Sequence, residues 1–252
     1  MSASEGTAAA GDRVLVLDFD GTVCLGDGPV WAYADAILQH LDERLAQQVS
    51  DGLLAYLEDH PDAGTYVDGY GAIAALAGPH VPAGVLHEAY AASRLALAEG
   101  RLDIHAPAGL VELLDRLRPA VRAVVMTNAP RTGLDEALDA LGLTGAVDEV
   151  IPSAGKPAGS RAVLEALLAG GPPATLMSVG DIWVNDIQPA LELGCVTGFI
   201  DRGGRDLRPA HARGRTIGEL YPAIEAWSQA AEAPHDIAAA LAAASDPVPT
   251  DS

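Results

Sequence analysis

The sequence predicts an α/β fold in which a doubly wound parallel sheet carries an inserted helical domain. Short apolar runs at residues 14–17, 121–126 and 174–179 have the length and branched side chains of buried strands, and each ends in polar residues or Gly. Segments with helical spacing of Leu and Ile follow at residues 110–117, 133–141, 161–168 and 187–193. Strands that alternate with helices indicate a parallel sheet with helical crossovers. The long helical interval before Pro107 indicates the insertion.

These patterns divide the chain into a core, a cap and two tails. Residues 1–12 are small and polar, and we expect a flexible N-terminal tail. Residues 13–26 and 106–225 are assigned to the α/β core, and residues 27–105 to an α-helical cap inserted into it. Residues 226–252 are rich in Ala and Pro, which predicts a low-complexity C-terminal tail.

Four helices are predicted within the cap. Apolar residues recur at helical spacing from Ile37 to Val49, which predicts one helix, and leucines at 53, 54 and 57 predict a second that ends at His60-Pro61. Two further helices are expected on either side of Gly78-Pro79 and Val81-Pro82.

Composition narrows the class of protein. The 252 residues, 49% of them hydrophobic, suffice for a domain with an insertion. A net charge of −20 disfavours nucleic acid and anionic membranes as partners. Long apolar runs and a secretory signal pattern are missing from the sequence, so we expect a cytoplasmic protein. We expect it to be a monomer or homodimer. Cys24 and Cys195 do not make a disulfide framework.

Two carboxylates follow the first predicted strand in Asp18-Phe19-Asp20-Gly21-Thr22. Open α/β sheets bind ligands at the carboxyl ends of their strands. Buried acids are costly unless they bind a metal or hydrogen-bond donors, so this pair is a candidate catalytic or metal site. The alternative is an ordinary acidic turn, because Asp and Gly are common turn residues.

Lys156 is the only lysine among 15 basic Lys and Arg residues. It lies in a Gly- and Pro-containing loop after a strand-like segment at residues 147–151. A compact ammonium suits a point contact with phosphate or carboxylate better than a planar guanidinium does. An Arg-rich composition that leaves one Lys by chance is the alternative explanation.

Two other predicted strands end in polar groups. Thr127 and Asn128 place a hydroxyl and an amide after residues 121–126, and Asp181 and Asp186 follow Gly180 after residues 174–179. Thr127 could be an ordinary turn hydroxyl, and the two acids could begin a solvated helix. The occurrence of all these segments in one order favours a shared site.

In that order the segments resemble the haloacid-dehalogenase-like (HAD) hydrolase superfamily, specifically its Mg²⁺-dependent phosphatases. The matching motifs are Asp18-Phe19-Asp20-Gly21-Thr22, Thr127-Asn128, Lys156-Pro157 and Gly180-Asp181 through Asp186. Flanking segments at 107–117 and 187–200 match as well, so the resemblance covers roughly residues 13–222. It implies a Rossmann-like core with the first strand central and the motifs together at the carboxyl edge of the sheet.

The resemblance also implies a role for each residue. Asp18 would be the nucleophile that forms an aspartyl-phosphate, and Asp20 the general acid and base. Mg²⁺ would be held by the Asp18 and Asp181 carboxylates and the Asp20 backbone carbonyl. Thr127, Asn128 and Lys156 would bind phosphate, and Asp186 would act one shell out. The expected reaction is hydrolysis of a small phosphorylated metabolite.

Single residues distinguish a phosphatase from some enzymes of the same superfamily that have other activities. A dehalogenase of this fold lacks the second carboxylate, so Asp20 argues against that activity, and a phosphonate-cleaving relative needs a cap lysine that residues 27–105 do not contain. A sugar phosphomutase and a catalytically silent binding or regulatory protein stay open. The cap side chains to consider first for specificity are Tyr66, Tyr70, His87 and Arg94, although residues of these types are more commonly surface or core residues.

Overall fold

The computed structural model describes residues 13–60 and 64–230. These fall into two compact units, of which the second comprises Cys24–Ala106 and Ala129–Thr144 and the first contains the other described residues. The second unit thus contains the predicted cap together with a later segment of the chain. The predicted tail at 1–12 and most of that at 226–252 lie outside the described residues.

A six-stranded parallel sheet forms the centre of the first unit, and the predicted doubly wound sheet is confirmed. Its order is β3-β2-β1-β4-β5-β6, so β1 lies between β2 and β4. The strands are β1 Arg13–Leu17, β2 Val121–Met126, β3 Glu149–Ile151, β4 Leu176–Gly180, β5 Val196–Ile200 and β6 Ala212–Gly214. Strand order reverses at β1, which is where open sheets of this type bind ligands.

The central strands are buried along their whole length. Every residue of β1, β4 and β5 is buried, as expected for parallel strands covered on both faces. One core cluster joins Val14 and Val16 of β1 to Val124 of β2 and to Leu164 and Leu167. The strand ends are therefore held on a rigid base, and polar residues that follow them are fixed in position.

Three helices of the first unit lie between its strands in sequence, and a fourth follows the last strand. They are α5 Leu110–Leu117, α7 Ser160–Leu168, α8 Gln188–Glu192 and α9 Ile217–Gln229. A 3₁₀ turn covers Pro173–Thr175, and a π-helical turn at Trp183–Ile187 precedes α8. The sequence reasoning did not predict α9, which continues past residue 226 and buries Trp227 completely.

The second unit contains α1 Gly28–Leu38, α2 Glu43–Leu57, α3 Gly69–Ala77, α4 Ala83–Ala98 and α6 Leu134–Ala140, with a 3₁₀ turn at Gly78–His80. The single helix predicted from Ile37 to Val49 is wrong, because α1 ends at Leu38 and α2 begins at Glu43. Asp42 starts the new helix by accepting a hydrogen bond from the Leu45 N–H at 2.9 Å.

The cap side chains predicted as specificity candidates have different surroundings. Tyr70 packs with Tyr33 and Tyr90, with ring centroids 5.4 Å away in each case, and Tyr66 packs edge-on against Tyr56. Arg94 is buried and His87 is exposed on α4. Within the described part of the chain, no helix is both long and apolar enough to cross a membrane.

Candidate active site

The first acidic motif begins where β1 ends. The Asp18 N–H donates to the Val179 carbonyl at 2.9 Å, which continues the hydrogen bonding between β1 and β4 by one residue. The chain then turns through Gly21, whose φ of +82° lies in the left-handed region that favours glycine. Asp18 is buried, and Asp20 is half-buried.

Lys156 connects two of the predicted acids. Its Nζ donates to Asp18 Oδ1 at 2.5 Å and to Asp186 Oδ1 at 2.7 Å. All three side chains are less than one-tenth exposed, at 3% for Lys156 and Asp186 and 8% for Asp18. The only lysine of the chain therefore lies between two carboxylates that would otherwise repel each other.

The side chain of Asn128 holds the backbone of Lys156. Asn128 Oδ1 accepts from the Lys156 N–H at 2.6 Å, and Asn128 Nδ2 donates to the Lys156 carbonyl at 3.0 Å. The preceding Thr127 is buried, with its N–H donating to Ile151 and its carbonyl accepting from Ala154. Asn128 thus has a positioning contact that the sequence reasoning, which assigned it to phosphate, did not anticipate.

The loop after β4 places Asp181 and Asp186 beside these residues. Gly180 allows this because a Cβ built on it would lie 2.4 Å from Asp186 Cγ. Asp186 has both oxygens in hydrogen bonds, Oδ1 with Lys156 and Oδ2 with the Ile182 N–H at 3.0 Å. Its backbone carbonyl accepts from the Ser178 hydroxyl at 2.7 Å, so the acid is fixed at both ends.

Burial changes the charge state of this cluster. Desolvation raises the pKa of both Asp181 and Asp186, and the nearby charge of Asp18 raises it further. Burial would lower the pKa of Lys156, but the charges of Asp18 and Asp186 and their hydrogen bonds outweigh it, so the pKa is raised. Lys156 therefore stays protonated. The positive charge near Asp181 and Asp186 is not enough to hold their pKa values at the ordinary level.

Arg202 is a site residue that the sequence reasoning missed. Its Nη2 donates to Asp181 Oδ2 at 3.0 Å from the loop that follows β5. A sequence signal for it exists, because Arg202 follows the apolar segment that forms β5 in the same way as the motif residues follow their strands.

The carboxylates fit a divalent metal ion. Asp18, Asp181 and Asp186 each offer an oxygen, and these atoms lie within 4.8 Å of one another. Asp181 Oδ1 is buried and has no hydrogen-bond partner among the described residues. An anionic oxygen left open in this way suits a hard cation such as Mg²⁺.

The site therefore brings together most of the predicted residues. Direct hydrogen bonds join Asp18, Lys156 and Asp186, Asp181 lies beside them, and Asn128 is joined through the Lys156 backbone. These carboxylates surround one buried ammonium at the point where the strand order of a doubly wound sheet reverses. Such an arrangement is typical of α/β enzymes whose catalytic groups are carboxylates. The chain belongs to the haloacid dehalogenase-like hydrolase family, whose model matches residues 13–194.

Solved structures with the same fold include enzymes of different activities. A HAD phosphatase from Thermococcus onnurineus is 20% identical, with a TM-score of 0.51 over 82% of this chain and 95% of that one. YfnB from Bacillus subtilis, described as a HAD hydrolase bound to magnesium, is 17% identical, with a TM-score of 0.56 over 83% and 96%. An L-2-haloacid dehalogenase from Xanthobacter autotrophicus is 18% identical, with a TM-score of 0.51 over 84% and 98%.

At identities this low, these similarities establish the fold alone. No curated protein matches the chain by sequence. The choice between the activities of these relatives therefore depends on the chemistry of the site.

Proposed function

We propose that this hydrolase is a Mg²⁺-dependent phosphomonoesterase that acts on a small phosphorylated metabolite through an aspartyl-phosphate on Asp18. The observation that carries the proposal is the pairing of Asp18 with Lys156. Lys156 donates to Oδ1 of Asp18. One oxygen is thus held by a cation, and we assign the attack to the other, Oδ2.

In the first half-reaction, Asp18 Oδ2 forms a bond to phosphorus as the bond from phosphorus to the ester oxygen breaks. Asp20 gives its proton to that leaving oxygen, so the alcohol departs neutral. Lys156 stabilises the charge on the phosphoryl oxygens, and the Asn128 side chain holds the Lys156 backbone while it does so.

In the second half-reaction, a water attacks phosphorus and gives its proton to the Asp20 carboxylate. The bond between phosphorus and Asp18 then breaks, which releases inorganic phosphate and restores both acids. When bound by Asp18 and Asp181, Mg²⁺ would supply positive charge for the phosphoryl oxygens. Asp186 keeps Lys156 aimed at Asp18 between turnovers through its 2.7 Å contact.

Asp20 distinguishes this reaction from dehalogenation. A halide leaves without a proton, whereas an alkoxide needs one, so a second carboxylate beside the nucleophile is useful only for an oxygen leaving group. A phosphomutase would use the same groups and return the phosphoryl group to a sugar hydroxyl instead of water. It would require a bisphosphate activator and would release no net inorganic phosphate.

The test is phosphate release from p-nitrophenyl phosphate and a panel of phosphorylated metabolites, beside chloride release from 2-chloropropionate. We expect phosphate release by the wild type, none by Asp18→Asn because an amide does not attack phosphorus, and slow turnover by Asp20→Asn. Asp115→Asn is the control, because Asp115 is an exposed acid on α5. Chloride release without phosphate release, or wild-type turnover by Asp18→Asn, would falsify the proposal.

Metal dependence is tested on the same assay. Activity should be lost in EDTA and return with Mg²⁺, and Ca²⁺ should inhibit because its looser coordination lets Asp18 bind the ion through both oxygens. Asp181→Asn should raise the Mg²⁺ concentration needed for half-maximal activity. Full activity after exhaustive chelation would remove the metal from the mechanism.

A further inference from the structure

Arg202 forms an ion pair with the proposed metal ligand Asp181. The Arg202 side chain is 54% exposed, whereas the Asp181 side chain is 16% exposed, so the pair connects the surface to the carboxylate cluster. The guanidinium donates to Oδ2, and Oδ1 of the same carboxylate has no hydrogen-bond partner among the described residues. A metal ion on Oδ1 and the arginine on Oδ2 would share one negative charge.

Neighbouring residues give this ion pair space and hold the loop that carries Arg202. A Cβ at Gly21 would lie 2.1 Å from Arg202 Nη2 and 2.4 Å from Asp181 Oδ2, so a larger residue there would displace the ends of both side chains. The Arg202 carbonyl accepts from Arg215 Nε at 3.2 Å. The preceding Asp201 is buried and accepts from the Asp206 N–H at 2.9 Å, which fixes the loop that carries Arg202.

The backbone of the loop that carries Asp181 does not depend on Arg202. This loop is fixed by its own hydrogen bonds, from Ile182 N–H to Asp186 Oδ2 and from the Asp186 N–H to the Ile182 carbonyl, both within 3.0 Å. An exposed arginine also contributes little to holding a carboxylate, since solvent screens such pairs. The main effect of Arg202 on the site is therefore its charge.

We propose that Arg202 is an internal counter-cation that competes with Mg²⁺ for Asp181 and thereby lowers the metal affinity of the enzyme. This inference rests on the metal site of the proposed function. Two cations that interact with one carboxylate repel each other, so each weakens the binding of the other by the same factor. Because about half of the Arg202 side chain is exposed, its guanidinium can leave Asp181 for solvent when a dication binds, without unfolding its loop.

The test is calorimetric titration of Mg²⁺ into protein that has been freed of metal by chelation. Arg202→Gln and Arg202→Ala should each bind Mg²⁺ about threefold to tenfold more tightly than wild type, the effect of removing one charge roughly 6–12 Å from a dication in water, as for a guanidinium that has turned to solvent. The rise in melting temperature on adding Mg²⁺ should be larger in both variants. Neither readout requires turnover.

Arg208→Gln is the matched control. Arg208 lies on the same loop and carries the same charge, but it pairs with Asp206 and stacks over Trp183 at 4.7 Å. Its variant should keep the wild-type Mg²⁺ affinity. Equal tightening in the Arg202 and Arg208 variants would overturn the proposal in favour of a general charge effect, and weaker binding in the Arg202 variants would overturn it in favour of an orienting role.

Failure of the two proposals can be told apart. If wild type binds Mg²⁺ and the Arg202 variants bind it equally well, the counter-cation role is overturned and the phosphatase proposal stands. If wild type binds no Mg²⁺, both are overturned.

Discussion

Lys156 offers the sharpest test of the site, through replacement by Arg and by Ala. Its ammonium contacts Asp18 at 2.5 Å and Asp186 at 2.7 Å while only 3% of its side chain is exposed. Arginine keeps the charge but presents a wide, planar fork of donors, which does not fit between two oxygens that converge on one point. Both substitutions should therefore damage the site, although only Ala removes the charge.

The magnitude follows from burial. Removing one partner of a buried ion pair leaves an uncompensated charge and typically costs about 3–5 kcal/mol of unfolding free energy. Lys156→Ala should be near the lower end, about 3 kcal/mol, because the raised pKa of Asp186 allows that acid to take up a proton instead. Loss of one preorganised donor to the transition state should lower kcat by about 100- to 1,000-fold in either variant.

Chemical denaturation and steady-state kinetics with p-nitrophenyl phosphate measure the two effects. Arg161→Ala is the control, because Arg161 pairs with Glu165 on the surface with 61% of its side chain exposed. That change should cost less than about 0.5 kcal/mol and leave kcat unaltered. If Lys156→Arg retains more than about a third of wild-type kcat with normal stability, the geometric argument is refuted and the single lysine has no special role.

Other residues around the site give further expectations. Asn128→Ala removes both hydrogen bonds to the Lys156 backbone, and should lower kcat and reduce stability by about 1 kcal/mol, the low end for two bonds at an exposed residue; unchanged kcat would contradict this. Gly180→Ala places a Cβ 2.4 Å from Asp186 Cγ and should lower both activity and melting temperature, whereas Gly84→Ala, in α4 with nothing within 4 Å, should leave activity unaltered and should not lower the melting temperature. Burial raises the pKa of Asp181 to about 8 and of Asp186 to about 7, so the folded protein binds more protons than the unfolded chain above the ordinary pKa of 3.8. The melting temperature in EDTA should accordingly fall as pH rises from about 4 to 8. The fall should be less steep in Asp181→Asn than in the control Asp115→Asn. Equal slopes would show that the raised pKa of Asp181 is not a source of the pH dependence.

The sequence was sufficient to predict the sheet and the meeting of the motifs, for a physical reason. Buried parallel strands are continuous apolar runs, and their carboxyl ends lie at one edge, so Asp18 and Asp181 must be neighbours once β1 and β4 are paired. The lone lysine could be placed because its loop follows a strand of the same sheet. These predictions use the order of strands and polar residues along the chain together with the family resemblance, which implied that the first strand is central.

Features set by single hydrogen bonds could not be predicted in this way. The break between α1 and α2 depends on Asp42 capping Leu45, and the apolar spacing continues across it. The contact between Asn128 and the Lys156 backbone depends on the conformation of a loop, which side-chain type does not determine. Arg202 reaches Asp181 only because the loop after β5 turns back, and Gly21 leaves space for it.

The charges of the assembled site explain why a divalent ion suits it. When all three are ionised, the carboxylates of Asp18, Asp181 and Asp186 face two cations, Lys156 and Arg202, which leaves one net negative charge in a chain of formal charge −20. A phosphate dianion would be repelled by that charge, and a monovalent ion would only neutralise it. A divalent ion would make the site positive where the phosphate must bind, against the field of the whole protein. The same balance explains why an arginine beside Asp181 can be tolerated: it compensates a buried acid until a stronger cation takes over that role.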